Sequence, residues 1–238
     1  MNSNYENLIN SLIADGYLKT PAIIDAFKAI DRADFVPDEY KNDAYNNAPL
    51  PIGFDQTISQ PLTVAFMLEL LEIKPGEKIL DIGAGSGWTS ALLAHLAAKP
   101  QTEATNTDNA QTNINDIGIN QPHQYKSAAT VIGIERIPEL KEMAEKNIDK
   151  YDFIKGGIVK VIKSDGSKGY KKEAPYDKIL AGASASGEVP AVWKRQLKIG
   201  GRIVAPVENS IIVIDKIGKM KYNSREHFGF SFVPLVKD

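Results

Sequence analysis

At 238 residues, with 43% hydrophobic and 24% charged side chains, the chain is long enough to bury the core of one α/β domain. A net charge of −2 gives no global field for nucleic acid or an anionic membrane, the lack of cysteine excludes disulfides and thiolate chemistry, and His95, His123 and His227 fall in no metal-ligand spacing. No apolar run nears the ~20 residues of a membrane helix and no signal-peptide pattern opens the sequence, so a cytoplasmic, metal-free protein is expected; a monomer is the working expectation, though no residue pattern reports oligomeric state.

Leu8, Ile9, Leu12 and Ile13 have helical spacing, as do Ile23, Ile24, Phe27 and Ile30, with Thr20-Pro21 supplying a cap and a first-position proline. Residues 32–53 hold Pro37, Pro49, Pro51 and Gly53 and read as extended loop. A third helix is expected from Pro61, with Val64, Met67, Leu68 and Leu71 on one face and Lys74-Pro75-Gly76 as its stop. Strand then alternates with helix: strands at 78–82, 131–134, 159–162, 177–181 and 202–207, helices at 88–96 and 138–147. This predicts an α/β fold, a Rossmann-like, doubly wound and mostly parallel sheet with helices on both faces and an N-terminal helical extension. Residues 211–217 and 228–236 follow without a helix between them, which predicts antiparallel C-terminal edge strands. The whole reads as a single domain over 1–238, with residues 1–60 forming the N-terminal helices and substrate loop. Half of residues 101–126 are Asn, Gln or Thr, too polar to offset their ordering entropy, so this segment reads as an inserted loop, with a functional lid as the alternative.

The turn Asp81-Ile82-Gly83-Ala84-Gly85-Ser86-Gly87 follows one predicted strand and opens a helix, where glycines admit a ligand close to free N–H groups. The dinucleotide fingerprint needs its third glycine where Trp88 stands, so that reading fails. Asp81 would repel a pyrophosphate but suits a cofactor carrying an ammonium and a sulfonium. The D-x-G-x-G-x-G form resembles the first motif of class I S-adenosylmethionine (SAM) methyltransferases. Glu135 ends the next strand, where a carboxylate can accept from both ribose hydroxyls. It lies 48 residues past Gly87, and excising the 26 residues of 101–126 leaves 22, close to the ~20 that such folds use. Asp165-Gly166, after the third strand, could accept from an adenine amino group or form a simple turn. Three acids at the carboxyl ends of three strands fit the ligand edge of an open α/β sheet.

Pro49-Leu50-Pro51-Ile52-Gly53 and Gln56-Thr57-Ile58-Ser59-Gln60-Pro61, beside the glycine turn, make the chain resemble the protein-L-isoaspartate O-methyltransferase family. Phe35-Val36-Pro37, Gly133-Ile134-Glu135-Arg136 and Ala174-Pro175-Tyr176-Asp177 extend the likeness from about residue 29 to 207. The resemblance implies methyl transfer from SAM, leaving S-adenosylhomocysteine, to the free α-carboxylate of L-isoaspartyl residues in damaged proteins and peptides. It assigns Asp81, Gly83, Gly85, Gly87, Glu135, Asp165 and Gly166 to the cofactor and Ser59 to catalysis. Thr57, Ile58 and Ser59 are expected at the substrate, with Pro206 and Val207 lining the groove by backbone contacts. That carboxylate is ionised near neutral pH, its reference pKa being ~3.3–3.7, so no general base is required. Ser59 as a helix cap is the competing reading, though Pro61 makes Gln60 the cap position. Trp88 and Tyr45 read as packing residues. The chain departs from the family's usual G-Q-G-Q-T-I-S in Gly53-Phe54-Asp55-Gln56, where Asp55 brings negative charge near a site for an anion. Another carboxylate substrate, or a catalytically idle SAM-binding module, are the alternatives that this departure raises.

Overall fold

Apolar periodicity becomes helix at the N-terminal end. Helix α1 (Ser3–Ala14) is capped by Asn2 and buries Tyr5, Leu8, Ile9 and Leu12, whereas Ile13 stays exposed. In α2 (Pro21–Ala29) the proline follows Thr20 as expected, but the Thr20 hydroxyl donates to Glu69 Oε2 at 2.7 Å instead of capping its own helix. The computed structural model describes residues 2–98 and 130–237, so the polar segment 101–126 lies outside the described residues.

Residues 32–53 are more regular than their prolines suggest. They form 3-10 turns at Arg32–Phe35 and Asp38–Asp43, then strand β1 (Leu50–Gly53), which pairs antiparallel with β2 (Gln56–Ile58). The hairpin's two turn residues, Phe54 and Asp55, are both left-handed, with φ of 54° and 56°. That geometry suits a two-residue hairpin but strains a bulky side chain. Four- and three-residue strands are too short to show a period in sequence, which is why they read as loop. Helix α3 (Pro61–Leu71) follows and stops where Glu72 turns left-handed.

The remaining strands are β3 (Lys78–Ile82), β4 (Thr130–Glu135), β5 (Val159–Lys163), β6 (Tyr176–Ala181), β7 (Leu197–Val207), β8 (Ser210–Gly218) and β9 (Lys221–Phe228). They form one sheet in the order β5-β4-β3-β6-β7-β8-β9, parallel through β7 and antiparallel beyond it. Helices α4 (Trp88–Ala97), α5 (Pro138–Asp149) and α6 (Ala191–Gln196) join them. Strand order reverses around β3 and β6, so the crevice at their carboxyl ends is the ligand-binding edge of this architecture.

Alternation along the central strands sorts two cores. Ile79 and Val131 face a cluster that includes residues of α1 to α5, whereas Leu80, Ile82, Ile132 and Ile134 face Trp193 of α6. Both faces carry helices, but unequally. Gly133 faces the first side, where a Cβ would lie 3.2 Å from Ser90 Oγ, and its absence lets α4 settle against the sheet beside Asp81.

The last strand departs from expectation. β9 runs over Lys221–Phe228, not 228–236, and its side chains are mostly exposed and polar. An edge strand takes its backbone partners from one side only and gains little from apolar side chains, so hydropathy does not mark it. The stretch after β9 folds inward instead: Phe230 and Phe232 pack on the first core and Leu235 on the second. Among the described residues no helix is long and apolar enough to cross a membrane.

Candidate active site

Two adjoining lobes lie at the carboxyl ends of β3, β4 and β6. The first, about 520 Å³, is lined by Ile52, Gln56, Thr57, Ile58 and Ser59 on one wall and by Gly83, Gly85, Ser86, Trp88 and Glu135 on the other. The second, about 460 Å³, continues past Gln56, Gly83 and Glu135 to Ile137, Ser164, Gly166 and Leu235. A third opening of about 750 Å³ shares Thr57, Ser59, Gly182 and Val233 with the first and adds Pro49, Gln60, Thr63, Ser231 and Phe232. Ser59 stands where the first and third meet.

The glycine turn divides by function. Gly83 (φ 83°) and Gly85 (φ 57°) both face the first lobe in left-handed geometry. Gly87 (φ 96°) does not line it: a Cβ there would sit 2.9 Å from Ile148 Cγ1 and 3.1 Å from Ala144 Cα, so this glycine lets α4 pack on α5. Ser86 Oγ is buried with no partner among the described residues. A polar atom stranded at the wall of a cleft, beside backbone bared by two glycines, fits a polar ligand seated there.

Glu135 lies at the junction of the first two lobes. Its Oε2 accepts from Gly85 N at 2.9 Å, and Oε1 accepts from Arg136 N at 2.8 Å and Ile137 N at 2.9 Å. These bonds fix the carboxylate and tether the glycine turn to β4, and Oε2, with a single donor, keeps lone-pair capacity for another.

Asp81 sits behind the turn and does not line the cleft. It is 1% exposed, its Oδ2 accepts from Ser90 Oγ at 2.6 Å, and burial, with a smaller push from Glu135, raises its carboxyl to about 6. Asp165 is also buried. Its Oδ1 accepts from Ser167 N at 2.9 Å and its Oδ2 pairs with Lys168 Nζ at 3.0 Å, while its neighbours Ser164 and Gly166 line the second lobe. Gly166 is also required by packing, since a Cβ would meet Ile82 Cγ2 at 2.6 Å.

Thr57, Ile58 and Ser59 all line the site as expected. Ser59 does not cap α3: the Leu62 N–H donates to Asn47 Oδ1 at 3.0 Å, and the Ser59 hydroxyl makes no hydrogen bond among the described residues. Its carbonyl accepts from Arg32 Nη2 at 3.1 Å. Pro206 and Val207 differ from expectation, because neither lines these lobes. The Pro206 carbonyl accepts from Ala185 N, and Val207 borders a separate groove over β8 and β9. Beyond the β6 end Ala185 pairs in parallel with Val207 at the end of β7, and the wall expected from β7 comes from Gly182, Ala183 and residues 231–236 instead. Ser184 N donates to Val233 O and Leu235 N to Ser184 O, both at 2.8 Å, which holds that late segment in the site.

Trp88 packs edge-on to Phe27 and also borders the first lobe, and Tyr45 stacks on Tyr5 and donates to Asp31 Oδ2. Asp55 lines none of the lobes. Among the described residues no three His, Cys, Asp or Glu side chains come together as a metal site.

A family model described as protein-L-isoaspartate(D-aspartate) O-methyltransferase matches residues 3–115 and 119–238. The chain is 37% identical to the protein-L-isoaspartate O-methyltransferase of Methanopyrus kandleri, over 97% of its own length and 90% of that relative's. Its identity to the enzyme of the same name from Ignicoccus hospitalis is also 37%, over all of both chains. Among solved structures, that of a Plasmodium falciparum protein-L-isoaspartate O-methyltransferase in complex with S-adenosyl-L-homocysteine covers 100% of both chains with a TM-score of 0.77. At 23% identity that likeness concerns the fold.

Proposed function

The chain belongs to the protein-L-isoaspartate(D-aspartate) O-methyltransferase family, and from that premise we propose how its cleft transfers a methyl group from SAM to the free α-carboxylate of L-isoaspartyl residues in damaged proteins and peptides. The observation that carries the reading is Ser59, whose hydroxyl, without a partner among the described residues, stands where the glycine-lined lobe opens into a separate mouth.

Bound SAM supplies an electrophilic methyl on a sulfonium. Gly83 and Gly85 would let the backbone approach it, Glu135 Oε2 would accept from a ribose hydroxyl, and Ser164 and Gly166 would border the adenine. Asp81 acts from behind the turn as an anion screened by Ser90, and Asp165 shapes the adenine wall through its local turn. Ser59 donates to one oxygen of the substrate carboxylate and leaves the other free to face the methyl. Thr57 and Ile58 form the strand beside it, and residues 231–233 form the opposite lip of the mouth. The incoming carboxylate already carries its charge at neutral pH, so the residues need only align it and exclude water. The β1–β2 hairpin does the latter, with Ile52 and Gln56 over the glycine turn.

A net charge of −2 provides no global field for nucleic acid, so the partners in this reading are isoaspartyl proteins and peptides, met by a monomer. A cytoplasmic setting goes with that reading. The deciding assay measures SAM-dependent methyl incorporation into an isoaspartyl peptide beside the matching aspartyl peptide. Labelling of the first alone is expected, and equal labelling of both would overturn the substrate assignment. Ser59→Ala is expected to lower kcat/KM by about 10- to 100-fold, the worth of one hydrogen bond to a charged group. Unchanged turnover would remove Ser59 from the mechanism.

A further inference from the structure

Arg32 opens the 3-10 turn at Arg32–Phe35 and is wholly buried. Its hydrogen-bond partners are all backbone carbonyls. Nη1 donates to Ala44 O at 2.7 Å and Asn46 O at 3.3 Å, and Nη2 donates to Ala48 O at 2.9 Å and Ser59 O at 3.1 Å. Nε is buried and has no partner among the described residues. The guanidinium carbon lies 5.4 Å from the ring centroid of Trp88, the first residue of α4 and part of the cofactor wall.

A buried cation with no carboxylate among its hydrogen-bond partners is a costly way to gain stability. What it provides is geometry, because a planar fork of donors can join carbonyls from two separate segments, which an ammonium or an amide cannot do from that position. The segment it gathers, residues 44–48, makes a second attachment. Asn47 Oδ1 accepts from Leu62 N and the Asn47 carbonyl accepts from Gln60 Nε2 at 2.9 Å. Ser59 is therefore fixed from both sides, by its own carbonyl on Arg32 and by Gln60 on Asn47. Its hydroxyl has no such restraint, so the direction in which it points follows from where its backbone is held.

We propose that Arg32 is the positioning residue for the substrate side of the reaction, holding the Ser59 backbone and residues 44–48 as one unit so that the Ser59 hydroxyl meets the incoming carboxylate. This rests on the reading of Ser59 as the carboxylate donor. Arg32 touches neither substrate nor cofactor, and its effect passes through the Ser59 carbonyl.

The test uses the full chain with Arg32→Lys, which keeps the charge and loses the fork, and Arg32→Gln, which keeps a planar donor and loses the charge. Each is checked for folding by circular dichroism, for S-adenosylhomocysteine affinity by calorimetry, and for kcat and KM on an isoaspartyl peptide. Both are expected to raise the peptide KM at least tenfold, with kcat and the S-adenosylhomocysteine Kd within threefold of wild type. Tyr151→Phe, which removes a hydroxyl bonded to the Asp31 N–H and Asp34 in the same packed region, is expected to leave the peptide KM unchanged. A peptide KM within threefold of wild type in a folded Arg32 variant overturns the proposal. So does equal weakening of S-adenosylhomocysteine binding, which would make Arg32 a packing residue for α4. If Arg32→Gln does not fold, Arg32→Lys alone decides by the same criteria. A wild-type chain inactive on the peptide would instead sink the parent reading, so the two failures are distinct.

Discussion

Asp81 carries its charge at a cost that a bound cation would relieve. Its carboxyl titrates near 6 in the folded chain, because burial outweighs the Ser90 hydrogen bond, against ~3.9 in an unfolded one. The folded state therefore holds the proton more tightly, and folding loses stability as pH rises from about 4 to about 6, then levels off. Asp81→Asn is expected to stabilise the ligand-free protein at pH 8 by about 1–3 kcal/mol and to change nothing at pH 4, as thermal melts would show. An ammonium in the cleft favours the ionised form. S-adenosylhomocysteine affinity should thus fall below pH 6, by at most about tenfold per unit, and the fall should vanish in Asp81→Asn. A calorimetric profile identical in both proteins would end this account. Gly87 makes the complementary case. The motif reads as three equivalent glycines, but only its spacing is visible in sequence, not which glycine meets ligand and which meets Ile148. Gly87→Ala should cost about 2–3 kcal/mol of stability, from left-handed strain and overpacking, and lower the Tm before it alters cofactor affinity.

At the level of elements, strong signals survived and weak ones did not. The strands at 78–82 and 177–181 and the helix from Pro61 were legible because burial on both faces, or a proline start with an apolar stripe, leaves a long pattern. The β1–β2 hairpin left none, since six paired residues are too few to show alternation, and β9 left none because its side chains face solvent. Arg32 was equally silent: an arginine in a polar stretch looks like a surface residue until its carbonyl partners are known. The hairpin also bears on the departure at Asp55. That residue is a strained turn position away from the cleft lining, so its charge does not oppose the substrate from within the site. Asp55→Gly is expected to raise stability by about 0.5–1 kcal/mol while leaving kcat/KM on an isoaspartyl peptide within threefold. A tenfold change in kcat/KM would mean that the hairpin tip meets the substrate.

For the whole molecule, the cofactor register depends on β3 and β4 lying side by side, with Asp81 opposite Gly133, and not on the length of chain between them. Replacing residues 101–126 by a short Gly-Ser linker should therefore leave S-adenosylhomocysteine Kd within threefold. A loss beyond tenfold would show that the segment belongs to the site. The substrate wall was the least legible part, because it is assembled from sheet ends and a late segment that share no motif. Pro206 and Val207 were expected there from their place at the end of a strand, and Gly182 with residues 231–233 fill that position instead.

That late segment also sets when the enzyme can begin to work. Val233 and Leu235 complete the first two lobes of the cleft but lie about 150 residues beyond Gly83 in the chain. A ribosome adding ~5–20 residues per second takes roughly 8–30 s to cover that distance, and residues 231–236 then have to clear its exit tunnel. During synthesis the glycine turn and its strands can form while the pocket stays open on one side. A nascent or prematurely ended chain should bind S-adenosylmethionine poorly, and so should not draw on the cell's methyl donor before it can use it.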